Sequence, residues 1–248
     1  LSFLSPAFSP LTRTDTMVKI PEQKDPTLEA MNKALVDKYT EVRDYLGASY
    51  IGDECPRKVW YSYNNFYRKP TEHIYAIEDG YRTEELLAER LNAVEGVTLV
   101  TKDENGEQFS FTDGNFSGHY DGKIVGLLQA PKTKHIWEAK CTNKFNEFLK
   151  VKSKFPDKKV LQNWNEIFYV QAQIYMHYSG YTRHYLTVAS AGGRDIASCR
   201  TEYHRDVALR YIDRAKKIIA AKSEPERAYN SETFFKCRWC DFAKECWK

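Results

Sequence analysis

The residues best placed to do chemistry fall into two sets, one of thiols and one of carboxylates. Cys237, Cys240 and Cys246 form Cys-x2-Cys-x5-Cys near the C-terminal end, and Cys55 opens the distant stretch Cys55-Pro56-Arg57-Lys58. A compact trio plus one remote thiol reads as a four-thiolate centre joining two far parts of the chain. Four thiolates suit zinc or an iron–sulfur cluster, and spacing alone does not choose. Cys141 and Cys199 fall inside predicted strands and read as ordinary buried thiols.

The carboxylate set centres on Glu138-Ala139-Lys140. Strand alternation puts Glu138 and Lys140 on one face and turns Ala139 to the other. Asp121 lies seventeen residues earlier, within reach across a hairpin. Two carboxylates and the Ala139 carbonyl, completed by waters, make an oxygen-rich site for a hard cation. Such a cation lowers the pKa of a bound water and neutralises phosphate charge. Lys140 could orient that water and stabilise developing negative charge. Gln171 and Tyr175 are four apart on a predicted helix and share a face, where amide and phenol could hydrogen-bond a phosphate. Glu84, in Gly80-Tyr81-Arg82-Thr83-Glu84, offers a third ligand; the plain alternative is an exposed helix glutamate beside Glu85. A Glu-x-Lys triplet alone is usually a solvated strand pair. Its placement after Asp121 in an apolar strand sets this one apart.

Periodicity supplies the elements that would position these groups. Helices are predicted over 26–46 (Leu28, Met31, Leu35, Tyr39, Val42 and Leu46 on one face), 74–94 (Ile77, Tyr81, Leu87, Leu91 and Val94 inward), 163–178 and 206–222 (Leu209, Ile212, Ala215 and Ile219). Gly47, Gly96 and Gly180 read as stops. Strands are predicted over 97–101, 116–128, 134–141, 185–189 and 196–203, with turns at Asn105-Gly106, Ala130-Pro131 and Gly192-Gly193. Residues 57–67 are aromatic-rich, through Trp60, Tyr61, Tyr63, Phe66 and Tyr67. Residues 144–159 read as an exposed, mobile lysine-rich connector. The fold class is α/β, a mixed central sheet flanked by helices.

A chain of 248 residues with 42% hydrophobic content can bury a substantial core, which excludes wholesale disorder. The net charge of +3 is unevenly spread, with nine lysines but only Glu138, Glu147 and Asp157 as acids between residues 132 and 159. A basic block beside a carboxylate site suits a polyanion, although a lysine run alone is usually a solubilising surface. No apolar run approaches the ~18 residues of a membrane span. Residues 1–16, punctuated by Pro6 and Pro10, lack the apolar core of a signal peptide and read as a disordered or expression-derived arm before Met17. The remainder, 17–248, reads as one domain, with 47–68 and 224–248 joined by the thiolate centre. Six cysteines without an export signal fit metal binding in a reducing cytoplasm better than a disulfide framework.

Taken together, these residues resemble the PD-(D/E)XK nuclease superfamily in its RecB-like branch. Within it they are most similar to the iron-staple nucleases, among them CRISPR-adaptation RecB-like exonucleases and related phage proteins. Asp121 matches the motif aspartate, Glu138 and Lys140 the Glu-x-Lys, and Gln171 with Tyr175 the Gln-x-x-x-Tyr element. Cys55, Cys237, Cys240 and Cys246 match the cluster ligands. The resemblance covers residues 47–247 and implies a restriction-endonuclease-like core with a C-terminal cysteine lobe. It also implies a 4Fe–4S cluster of structural role, Mg²⁺ or Mn²⁺ on Glu84, Asp121, Glu138 and Ala139, and a DNA exonuclease acting on single-stranded ends in recombination, repair or end processing. A recombination or single-strand-annealing partner and an oligomer are compatible with it, and a membrane is not. Many RecB-like members carry histidine where Glu84 stands, and glutamate there is more like the lambda-exonuclease-type branch. His73, eleven residues upstream of Glu84, reads as a surface residue rather than that histidine. The alternative is a DNA-binding or assembly module that keeps the fold and depends on partners.

Overall fold

The computed structural model describes residues 25–39, 43–64 and 74–248. The expected arm, the Met17 start, Val42, Phe66, Tyr67 and His73 lie outside the described residues.

Helix α1 (Pro26–Tyr39) does not run on to residue 46. Leu46 and Gly47 instead form strand β1 (Leu46–Gly47), where Leu46 is buried and its N–H donates to the Asn115 carbonyl at 2.7 Å. Core burial of Leu46 overrides its helical period. Helix α2 (Pro56–Tyr63) begins with Pro56, which gives up no needed N–H there, and buries Val59, Trp60 and Tyr61. Helix α3 (Ile74–Asn92) buries Ile74, Thr83 and Leu87. Tyr81 and Val94, expected inward, are 56% and 38% exposed, because the buried stripe follows Thr83 and Leu87.

Strands β2 (Thr98–Val100), β3 (Ser110–Asp113), β4 (Phe116–His119), β5 (Gly122–Val125) and β6 (His135–Cys141) follow. The turn at Asn105-Gly106 forms as expected, with Gly106 at φ 80° and Asp103 Oδ1 accepting from the Asn105 and Glu107 N–H groups. The single strand expected over 116–128 is two strands, β4 and β5, parted at Tyr120-Asp121. They belong to different sheets, and β3 is an unforeseen partner for β4. One sheet has the order β1-β4-β3 and the other β2-β5-β6-β7-β8.

Helix α4 (Phe145–Lys152) replaces the expected mobile connector. Phe145 and Phe148, three apart, are buried, while Lys152 reaches the Ser198 carbonyl at 2.6 Å. Helix α5 (Val160–Trp164) precedes α6 (Glu166–Ser179), whose first turn is capped by the Asn165 side chain accepting from Phe168 N–H. Gly180, at φ 74°, ends α6. Strand β7 (Arg183–Ala189) pairs in parallel with β6, a geometry that needs a crossover, supplied by α4 to α6. Strand β8 (Ile196–Glu202) closes the sheet edge, and α7 (Arg205–Ala220) buries Ala208, Ile212, Ala215 and Ile218. Leu209, expected inward, is 37% exposed. Short helices α8 (Phe235–Arg238) and α9 (Ala243–Cys246) carry the cysteine tail.

The five-stranded sheet has a core on each face. Ile136, Leu186 and Val188 pack with the buried residues of α6, whereas Trp137 packs with Leu87 of α3, Leu99 and Ile124. Among the described residues, no helix is long and apolar enough to cross a membrane.

Candidate active site

Strand β6 carries the site in the middle of the larger sheet. Its register with β5 pairs Gly122 with Trp137, which leaves Asp121 abreast of Glu138. Asp121 Oδ2 accepts from the Ala139 N–H at 2.8 Å. That bond fixes the aspartate where β4 and β5 part. Below it, Trp137 Nε1 donates to Thr187 Oγ1 at 2.9 Å, buttressing β6 from the opposite face. Glu138 is 3% exposed, and Lys140 Nζ donates to its Oε2 at 2.8 Å. The other oxygen, Oε1, is buried without a hydrogen-bond partner.

Electrostatics gather Glu84, Asp121, Glu138 and Lys140 into one cluster. Burial, then the charge of Asp121, pushes Glu138 up to about 8. Glu84 is pushed up to about 7 by burial and then Asp121. Burial also raises Asp121, against the pull of Lys140 and the Ala139 N–H. Lys140 rises to about 12, since the charges of Glu138 and Asp121 outweigh a burial that alone would lower it. Three carboxylates around one ammonium are short of positive charge. The orphaned Oε1 and the all-oxygen donor set fit a hard divalent cation such as Mg²⁺ or Mn²⁺. Among the described residues, no group of three or more His, Cys, Asp or Glu side chains is drawn together around a single-ion position. Lys140 is the cation held on Glu138.

Gln171 and Tyr175 meet as their spacing predicted. Gln171 Nε2 donates to the Tyr175 hydroxyl at 2.8 Å, and both side chains are buried. Burial, followed by the charge of Glu138, holds the Tyr175 phenol well above its usual range. Its ring packs edge-on to Phe111 and tilted against Tyr120. Gly118 makes room for it, since a Cβ there would stand 2.8 Å from Tyr175 Cε1.

Sequence reasoning missed three contributors. Phe168 lies 5.2 Å from Lys140 Nζ and shields one side of the ammonium. It sits three residues before Gln171 on α6, so helical spacing could have found it. Arg43, ahead of β1, is close enough for its charge to favour the Tyr175 phenolate. Gln173 clips α6 to the end of β8, donating to the Glu202 carbonyl and accepting from His204 N–H. Nothing local in the sequence marks either role.

The four cysteines expected to act together line one cavity of about 590 Å³. All four are free and half-buried. Burial raises Cys237, with Cys246 and Cys55 adding to it, and burial raises Cys240, with Cys55 contributing. Thiols that discourage one another's ionisation fit a cation or cluster that would relieve them. Contacts between the same two chain segments hold the cavity's walls. Arg57 Nε donates to the Pro225 carbonyl at 2.7 Å, Trp60 Nε1 to the Ala221 carbonyl at 2.9 Å, and Lys236 pairs with Glu54. Aromatic side chains shield the cavity only in part. Phe242 is buried, but Phe235 and Trp239 are 60% and 81% exposed. Cys199 is buried as expected, whereas Cys141 is half-buried at the end of β6.

No family model and no curated protein matches this sequence. Solved structures do match. One named SSO0001 superposes with a TM-score of 0.51 at 16% identity, over 90% of this chain and 96% of its own. The alkaline exonuclease LHK-Exo from Laribacter hongkongensis superposes with a TM-score of 0.50 at 13% identity, over 76% of this chain and 91% of its own. At such identities the likeness shows the fold alone, a mixed α/β fold that this chain shares with the alkaline exonuclease.

Proposed function

We propose that this protein is a Mg²⁺- or Mn²⁺-dependent DNA exonuclease acting on single-stranded ends in recombination, repair or end processing. The observation that carries the reading is the cluster of Glu84, Asp121, Glu138 and Lys140, with one Glu138 oxygen left unpartnered, on a fold shared with an exonuclease. Glu84, Asp121, Glu138 and the Ala139 carbonyl would hold the ion, which supplies Lewis-acid charge and an acidified water. Lys140, shielded by Phe168, presents its ammonium to the negative charge that develops on the phosphate. Tyr175 accepts from Gln171, so its own O–H is left to donate to a phosphate oxygen. Lys144, Lys150 and Lys154 are exposed on and beside α4 and would grip the backbone of the strand. Cys55, Cys237, Cys240 and Cys246 would hold a 4Fe–4S cluster of structural role, the donor set being four thiols on one cavity.

The test is digestion of end-labelled single- and double-stranded DNA with Mn²⁺ under anaerobic conditions, comparing wild type with Glu138→Ala. Wild type should shorten the labelled strand from an end, preferring single strands, and the variant should fall to background. Intact DNA of every end form, with the thiolate centre loaded, rejects the reading in favour of a partner-dependent binding module.

A further inference from the structure

Two cations stand in the wall of the cysteine cavity, each already seated by a neighbour. Asp53, Lys58, Arg227 and Trp247 line it together with the four cysteines. Asp53 accepts from the Cys55 N–H at 2.9 Å through Oδ1 and from Lys58 Nζ at 2.7 Å through Oδ2. One carboxylate thus sets both the Cys55 backbone and the direction of the ammonium. The pair is largely withdrawn from solvent, with Lys58 35% and Asp53 14% exposed. Against the burial that raises Cys240, the Phe242 N–H and then Lys58 favour its thiolate, and Lys58 outweighs the adjoining Asp241.

The second arm comes from the tail. Arg227 Nε donates to the Cys246 carbonyl at 3.1 Å, and Nη2 donates to the same oxygen. Its guanidinium carbon lies 4.4 Å from the centre of the Trp247 ring, a stacked cation that orients the indole. An indole N–H can only donate, and Trp247 hydrogen-bonds the Cys237 sulfur. Burial and the neighbouring thiols raise Cys237; the Trp247 bond and then the charge of Arg227 favour its thiolate.

Each arm therefore holds the backbone of one cysteine and turns charge or an N–H toward the sulfur of another. The four cysteines are divided between the two arms with none left over. Simple tail anchors behave differently: Arg57 and Trp60 reach backbone carbonyls at Pro225 and Ala221. Four thiolates carry more negative charge than a divalent ion supplies, so a loaded centre stays net negative and gains from cations beside it. Groups that orient metal ligands and tune their charge contribute about 10- to 100-fold in metal affinity.

We infer that Lys58, seated by Asp53, and Arg227, seated on Trp247, are positioning residues that assemble the four thiolates and offset their charge when a metal or cluster is bound. The inference rests on the proposed thiolate centre and not on DNA cleavage.

The test titrates metal-free protein anaerobically with Co²⁺ and follows the thiolate-to-metal absorption band, which Co²⁺ on carboxylates does not give. Lys58→Gln and Arg227→Gln should each weaken this binding by about 10- to 100-fold. Both should also move the band to longer wavelength, because the thiolates lose a stabilising charge. Trp247→Phe keeps the ring and loses the N–H, and should move the band in the same direction. Lys58→Arg keeps the charge and should hold the band near its wild-type position. In protein reconstituted with iron and sulfide, both Gln variants should show a more negative cluster reduction potential, since net charge and hydrogen bonds to sulfur set it. Unchanged affinity and band in both Gln variants overturn the inference and leave the thiolate centre standing. Weaker binding with an unmoved band also overturns it, making the two residues tail anchors alone. No band in wild type rejects the thiolate centre, and the inference with it.

Discussion

Glu138 is held in a state that costs folding free energy. A buried acceptor without a partner costs on the order of 1–3 kcal/mol, and Glu138 Oε1 is one such acceptor. The raised values of Glu138, about 8, and Glu84, about 7, give the sign of the pH dependence. Between their unfolded pKa near ~4.3 and these folded values, the native state binds more protons than the unfolded one. This contribution is therefore fully present at low pH and is lost as pH rises toward about 8. His135, His177 and His184 are lowered by burial and act in the opposite sense on the acid side of the ordinary histidine range. The comparison that isolates the carboxylate is Glu138→Gln against wild type, metal-free, by thermal denaturation. Wild type should lose Tm as pH rises through neutrality, and the variant should lose less. At pH 8 the gap should be several degrees in the variant's favour, at about 2–4 °C per kcal/mol for a chain of this size. Mg²⁺ should narrow it by stabilising wild type alone. A wild-type slope equal to the variant's would remove Glu138 as the source. The meetings of Glu138 with Lys140 and of Gln171 with Tyr175 were legible in sequence because two- and four-residue spacings fix shared faces. Arg43 was not, because it reaches Tyr175 only through the tertiary fold.

Elements were legible where the buried stripe coincided with the sequence period, and misread where another signal masked it. In α4 the lysines drew attention, yet Phe145 and Phe148 at a three-residue spacing are what make it a helix. The break between β4 and β5 escaped because Phe116, Tyr120 and Ile124 keep one parity across it. Only the approach of two sheets decides that Tyr120-Asp121 is a corner, and that corner delivers the aspartate. Gly118 in β4 and Gly80 in α3 show how differently one residue type can serve. A Cβ at Gly118 meets Tyr175 Cε1 at 2.8 Å and both Ala48 and Phe111 at 2.9 Å. Gly118→Ala should cost about 1–3 kcal/mol as overpacking and lower kcat by displacing Tyr175, with Mg²⁺ affinity little changed. Gly80 has nothing within 4 Å of its would-be Cβ. Gly80→Ala should raise stability by about 0.5–1 kcal/mol. Equal Tm shifts in the two variants would contradict the close approach of α6 to β4.

At the scale of the whole molecule, four thiols from parts of the chain far apart in sequence line one cavity. That Cys55 meets the tail trio on one cavity was legible from residue type and spacing; a metal or cluster held by the four is the proposal. The polar contacts around it were not, being backbone acceptors at Pro225 and Ala221 that any residue could offer. These contacts set up a contrast. If Arg57 and Trp60 alone held the tail, losing the thiols would change little. If a metal or cluster on the four thiols closes the long intervening loop, its loss removes a constraint comparable with a long-range crosslink, on the order of several kcal/mol. We expect Cys55→Ser, purified anaerobically, to lose its bound metal and fall in Tm by roughly 10 °C, at about 2–4 °C per kcal/mol. Limited proteolysis should then release a C-terminal fragment beginning near Ala221, where α7 ends. Mg²⁺ binding at the carboxylates should survive in the remaining core, because no cysteine of the set contacts Glu84, Asp121 or Glu138. Iron and sulfide in the wild type would assign a cluster, and zinc would assign a single ion. An unchanged Tm and an intact tail in Cys55→Ser would return the task of holding the ends together to Arg57 and Trp60.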